Sequence, residues 1–174
     1  MRANHSKNQR GGLARPETKF ISKNNLCRSE IKEMIREMKI GDYEGMYEMW
    51  QITTKRALSE SDSKENIQKY LERNKGCSFV AEEKGKIVGT VLAGHDGRRG
   101  FIYHMAVHPD YRRRKIAHQM AEKALNALKE QGIYKTHIFC YENNNMGQGF
   151  WKDFGFKKRD DIYVFAYRTD GKTD

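Results

Sequence analysis

The sequence predicts a mixed α/β domain, with a mostly antiparallel sheet flanked by helices. Three observations carry this. Three short β-rich runs follow one another between glycine-marked turns, as in a meander. One long stretch then places its apolar residues on a single helical stripe. A further strand signal, a short amphipathic stretch and a last strand signal close the chain.

Taken in order, residues 34–40 (MIREMKI) alternate apolar and polar, which predicts a half-buried strand ended by Gly41 and Asp42. Met46, Met49, Trp50 and Ile52 then recur at helical spacing over residues 43–53. Ser63 is placed to cap a helix over residues 64–73 that ends near Gly76. Residues 77–81 (CSFVA) and 87–93 (IVGTVLA) read as two strands joined by a hairpin turn at residues 83–86. A turn containing Gly94, Gly97 and Gly100 leads to a third strand, residues 101–108, stopped by Pro109, which cannot donate to a ladder. Ile116, Ala117, Met120, Ala121, Ala124, Leu125 and Leu128 form the long stripe, and Gly132 stands where a left-handed cap belongs. Residues 136–141 (THIFCY) predict another strand. Residues 144–154 predict a short helix with Met146, Phe150, Trp151 and Phe154 on one side and Gly155 at its end. Residues 162–167 (IYVFAY) predict the closing strand. The predicted order is β-α-α-β-β-β-α-β-α-β.

At 174 residues the chain is long enough for one domain with a real core. We place that domain at residues 30–170. The formal net charge is +10, of which +6 falls in residues 1–29, a segment with few large apolar residues. That segment reads as a solvated tail: a basic arm for an acidic partner, a targeting segment, or a disordered leader. Three cysteines without short spacing (Cys27, Cys77 and Cys140) argue against a disulfide scaffold and for a reducing, cytoplasmic setting. No run approaches the ~18 apolar residues of a membrane span. No His/Cys/Asp cluster has zinc spacing, so no metal is expected.

The informative charge is small and local. Arg112, Arg113, Arg114 and Lys115 lie where the long helix begins. A helix N-terminus disfavours cations by about 0.3–1 kcal/mol each, while its free N–H groups attract anions. Either water and salt screen the four charges, or a bound polyanion resolves the conflict.

This stretch resembles the acetyl-CoA-binding motif of the GNAT acetyltransferase superfamily, Arg/Gln-x-x-Gly-x-Gly/Ala after a strand ending in Val-x-Pro. Here Arg112, Arg113, Arg114, Lys115, Ile116 and Ala117 follow Val107, His108 and Pro109. A second family element, Asn then an aromatic then Gly-Phe, is matched by Asn144, Phe150 with Trp151, and Gly155 with Phe156. The turn Gly97, Arg98, Arg99, Gly100 and the pair Asp160 and Asp161 are similar to the compact YpeA/RimI-like branch. The resemblance covers residues 30–168. It implies an N-acetyltransferase that moves acetyl from acetyl-CoA to a primary amine by direct attack on the thioester. It also implies pantetheine bonded to backbone near Met105, Ala106 and Val107, and pyrophosphate at the amides of residues 113–118, ending at His118. Asn144 would reach the pantetheine and Trp151 the thioester end. A homodimer is an assembly the family allows. The partners so implied are acetyl-CoA and an amine acceptor, with neither a membrane nor nucleic acid required. Two positions depart from the pattern. Lys115 replaces a glycine, at what we take as a first-turn helical position that tolerates a Cβ. Trp151 replaces a tyrosine acid, and an indole N–H is no useful acid.

For proton transfer the candidates are Tyr103 and Tyr141, either of which could act as acid or relay or be an amphipathic sheet residue. His104 should face away from Tyr103 by strand parity, as a packed core histidine. Cys140 reads as buried and inert. Two other function classes compete: a nucleic-acid-binding protein using the basic tail, and a catalytically silent acyl-CoA-binding module.

Overall fold

The computed structural model describes residues 28–172; most of the basic tail lies outside the described residues. The chain runs α1 (Arg28–Met34), β1 (Ile35–Glu37), α2 (Tyr43–Thr53), α3 (Lys64–Arg73), β2 (Phe79–Glu83), β3 (Lys86–His95), β4 (Gly100–Val107), α4 (Ile116–Glu130), β5 (Thr136–Ile138) and α5 (Asn145–Phe154). The five strands form one sheet in the order β1-β2-β3-β4-β5. The first three pairings are antiparallel and β4 pairs with β5 in parallel. The predicted α/β class, a mixed and mostly antiparallel sheet flanked by helices, is the observed one.

The sheet has a core on each face. One cluster joins Ile31, Val88, Val91, Ala93, Ile102 and Trp151 to the α4 stripe of Ile116, Met120, Ala121, Ala124 and Leu128. The other gathers Met46, Met49 and Trp50 of α2 and Ile67 of α3 against Val80, Leu92 and Ala106. The start of α3 is fixed as expected, since the Ser63 side chain accepts from Asn66 N–H. Its far end docks on β3 through Asn74, which is 3% exposed. The Asn74 side chain donates to Tyr70 O at 3.1 Å and accepts from His95 N at 2.9 Å. Gly94 permits this approach, because a Cβ there would run into Asn74 and the Tyr70 hydroxyl.

Three expectations change. The strand expected over residues 34–40 is β1 alone, preceded by α1. Ile31 and Met34, three apart, pack against the α4 cluster, so the helical period holds until Met34 and alternation begins only at Ile35. β5 stops at Ile138 instead of running to Tyr141. The closing strand over residues 162–167 does not join the sheet. Tyr163, Phe165 and Tyr167 are 86%, 91% and 90% exposed. Just beyond it, Arg168 and Lys172 reach Glu60 at 3.2 and 2.9 Å, which ties the segment to the α2–α3 connection. Period-two alternation marks an extended segment but does not name the edge it pairs with. Among the described residues, no helix is long and apolar enough to cross a membrane.

Candidate active site

The site begins where two parallel neighbours part. β4 pairs with β5 only through Gly100, Phe101 and Ile102, opposite Thr136, His137 and Ile138. β4 then continues along β3 alone, with Ala106 opposite Thr90 and Val107 opposite Gly89. Met105, Ala106 and Val107 therefore lie beyond the β5 ladder, on an edge that can offer backbone groups to a ligand.

At the end of β4 the chain turns through Pro109–Tyr111 and reaches the four cations. Arg112 Nε donates to Val107 O at 3.2 Å, folding the cation loop back on the strand end. Arg114 lies 3.8 Å from Glu83, with its guanidinium 4.9 Å from the Tyr111 ring centre. Arg113 and Lys115 are exposed and have no carboxylate partner among the described residues. Lys115 is the residue before α4, not its first turn as expected, and its backbone is left-handed at φ 61°. Arg113 is left-handed too, at φ 62°. Lys115 thus keeps the conformation a glycine supplies freely and carries the steric cost of its Cβ. Ile116 is buried, Ala117 is half-buried, and His118 sits 3.6 Å from Glu122 with its ring 4.8 Å from that of Phe154.

α5 flanks the same region. Asn144 caps it, its Oδ1 accepting from Gly147 N–H at 2.9 Å, so that oxygen is engaged by its own helix. Trp151 is buried among Phe150, Phe154 and Phe156, with ring centres 4.8–6.2 Å away. Met146, expected on the same side, is exposed.

A family model described as "Acetyltransferase (GNAT) family" matches residues 43–156. The chain belongs to the GNAT acetyltransferase family. It is 30% identical over 128 residues to an acetyltransferase of Pectobacterium atrosepticum, covering 74% of this chain and 90% of that one. Among solved structures, the PaiA N-acetyltransferase of Thermoplasma acidophilum in complex with coenzyme A aligns at TM-score 0.62 and 22% identity, covering 72% and 90% of the two chains. An aminoglycoside acetyltransferase from an uncultured soil sample, in complex with sisomicin, aligns at TM-score 0.65 and 18% identity, covering 80% and 99%. At these identities the two structures show the fold.

On the α2–α3 face of this acetyltransferase, Tyr103 stacks with Phe101, lies tilted against Phe139 and meets Tyr70 edge-on. Burial pushes the Tyr103 phenol up. Tyr141 lies elsewhere: its hydroxyl donates to Arg56 O at 3.3 Å, and the Arg56 guanidinium sits 4.2 Å from its ring centre. Arg56 also donates to Asn143 at 3.2 Å, so the α2–α3 connection is joined to the segment after β5. Cys140 is half-buried, with its thiol pushed up by burial. Among the described residues, no group of three or more His, Cys, Asp or Glu could hold a metal ion.

His104 departs furthest from its expected place. β4 is bulged: Tyr103 faces Leu92 and Ala106 faces Thr90, so His104 and Met105 share the single place opposite Val91. His104 takes the left-handed conformation, φ 43°. The extra residue resets the parity, and His104 falls on the same α2–α3 face as Tyr103. There its ring stacks on Trp50 at 4.4 Å, and its Nε2 meets Asp62 Oδ1 at 2.8 Å. Both side chains are buried, at 7% and 9% exposure. The sequence pattern missed this pair: 42 residues separate its members, and no glycine marks the bulge.

Proposed function

We propose that this GNAT protein is an N-acetyltransferase that moves acetyl from acetyl-CoA to a primary amine by direct attack on the thioester. The observation that carries the reading is the open β4 edge at Met105, Ala106 and Val107 beside the unpaired cations Arg113 and Lys115. The edge suits an amide-bearing pantetheine arm. The cations and the N–H groups that open α4 suit its pyrophosphate. Arg112, Arg114, Ile116, Ala117 and His118 complete that cradle. Asn144 would offer its amide nitrogen, and Trp151 would back the thioester end from its aromatic cluster. In the attack, a strand N–H near Met105 faces the developing oxyanion. Tyr103, half-exposed on the adjoining face, supplies a proton relay; Tyr141, already bonded to Arg56, orders the acceptor side. We place the chain near the YpeA/RimI-like compact branch and in the cytoplasm, supported by the Gly97 to Gly100 turn and by the unpaired Cys77 and Cys140.

Titration calorimetry with acetyl-CoA and CoA, followed by a free-thiol assay against a panel of amines, tests the proposal. Binding and amine-dependent thiol release are expected, with Arg113→Ala combined with Lys115→Ala raising KM for acetyl-CoA several-fold at little cost to kcat. No binding at millimolar CoA overturns it. Binding with thiol release at background for every amine favours a silent acyl-CoA-binding module, the reading supported by the engaged Tyr141 hydroxyl and the buried Trp151.

A further inference from the structure

The α2–α3 face holds a polar chain inside an apolar cluster. Trp50 Nε1 donates to Thr90 Oγ1 at 2.9 Å, and Thr90 Oγ1 donates to His104 O at 2.7 Å. These bonds pin the backbone of the bulge while Trp50 holds the imidazole by stacking. At the Nε2 edge of the ring stands Asp62. Its Oδ2 accepts from Ser59 N at 2.8 Å, and its carbonyl accepts from the Tyr43 hydroxyl at 2.9 Å. Burial alone would raise the Asp62 carboxyl, but the bonds from His104 and Ser59 outweigh it and hold it below the usual carboxylate value. Asp62 is therefore an anion, and its Oδ1 can only accept. The hydrogen of the 2.8 Å contact must then sit on Nε2 of His104. In a neutral ring this leaves the lone pair on Nδ1, and that atom is buried without a hydrogen-bond partner.

A buried imidazole with its tautomer fixed by a carboxylate and its basic nitrogen unused is equipped to take a proton. A buried acceptor left unpaired is costly; His137 Nδ1 is buried without a partner too, but among the described residues it is His104 whose ring a buried carboxylate also fixes. The bulge is costly as well: a left-handed histidine persists only when its surroundings over-determine it. Its position fits the use. His104 precedes Met105, the first of the three residues on the open β4 edge, and Asp62 belongs to the α2–α3 connection that Arg56 joins to the segment after β5.

We propose that His104 is the proton acceptor of acetyl transfer, with Asp62 as its positioning residue; this rests on the N-acetyltransferase reading. The amine nitrogen attacks the thioester carbonyl carbon and an N–C bond forms. The nitrogen's surplus proton passes by way of water and the Tyr103 hydroxyl relay to His104 Nδ1. The C–S bond then breaks, and the imidazolium returns the proton to the departing thiolate. The neighbours leave this role to His104. Asp62 is the charged group against its ring, and the phenols that α2, α3 and β4 contribute to this face (Tyr43, Tyr70 and Tyr103) are all pushed up by burial and stay protonated at neutral pH.

The test uses the full chain, His104→Gln and Asp62→Asn, with the best amine from the panel. His104→Gln is expected to lower kcat by about 10²–10³-fold, leave CoA affinity unchanged by calorimetry, and abolish the acid limb of the pH–rate profile. Asp62→Asn is expected to lose less and to shift that limb. Nitrogen-15 NMR of the histidine rings supplies a readout independent of turnover: in its neutral form, the His104 ring should carry hydrogen on Nε2 and a bare Nδ1. Circular dichroism and CoA binding show whether each variant is folded. Should His104→Gln lose its fold, the NMR tautomer and the Asp62→Asn profile decide. Turnover undiminished in a folded His104→Gln, or hydrogen found on Nδ1, overturns this role alone. No CoA binding by the wild type overturns the acetyltransfer reading and this role with it.

Discussion

On the α4 face of the sheet, Met120, Ala121, Ala124 and Leu128 share a cluster with Val88, Val91, Ala93 and Ile102, and shape does the fitting. On the α2–α3 face the cluster is also apolar, but it is threaded by Trp50, Thr90, His104 and Asp62, each bonded to the next. Burial of aliphatic surface is non-directional, so the first face tolerates a change of side chain at a cost in volume. A buried polar chain is directional, and removing one member strands the next. The first face should therefore set how stable the domain is, and the second should set where one ring nitrogen points.

The largest stability effect should come from the first face. Leu128→Ala removes a fully buried side chain and should cost about 2–5 kcal/mol in denaturant unfolding, with kcat of the folded molecules unchanged. A fall in kcat would break the comparison. Thr90→Val keeps the volume on the second face but leaves Trp50 Nε1 and His104 O without their partner. It should cost about 1–3 kcal/mol and should also slow turnover, so measuring both separates the two faces. Acid sharpens the contrast further. The folded Asp62 carboxyl lies below its ordinary value, so its contribution is complete above the unfolded value of about 3.9 and is lost as pH falls through the folded one. Midpoints measured at pH 7 and pH 3 should differ less in Asp62→Asn than in the wild type. The smallest effect is expected outside both clusters. Lys115→Gly relieves a left-handed backbone worth about 1–2 kcal/mol but gives up some of that to unfolded-chain entropy. A gain of a few tenths of a kcal/mol in unfolding stability should follow, with weaker CoA binding by calorimetry because the ammonium is lost.

How legible each region was follows from the same physics. The meander, the α4 stripe and the caps could be read because each is written locally: Ile116 to Leu128 names its own helix, Gly132 marks that helix's end, and Ser63 marks the start of α3. The cation cluster was legible because four like charges at a helix start are locally improbable. His104 was not. Its face depends on one inserted residue in β4, and its partner stands 42 residues earlier in a short turn. Alternation assumes an unbroken pleat, and the bulge breaks it without a glycine. Residues 162–167 failed differently: their alternation is real, but the tie just beyond them, from Arg168 and Lys172 to Glu60, is a long-range charge contact that no local pattern records.

Gly94 gives this architecture a constraint on its own descent. Any side chain there collides with Asn74 and Tyr70, the residues that seat the end of α3 on β3. Moving that end levers the whole helix, and Asp62 is the residue just before the Ser63 cap at its other end. A position with no functional atom thus holds a veto over the dyad from the far end of a helix. Lineages that keep the His104–Asp62 pair should tolerate almost any change on the outer surface of α3, and almost none at this one glycine beneath it.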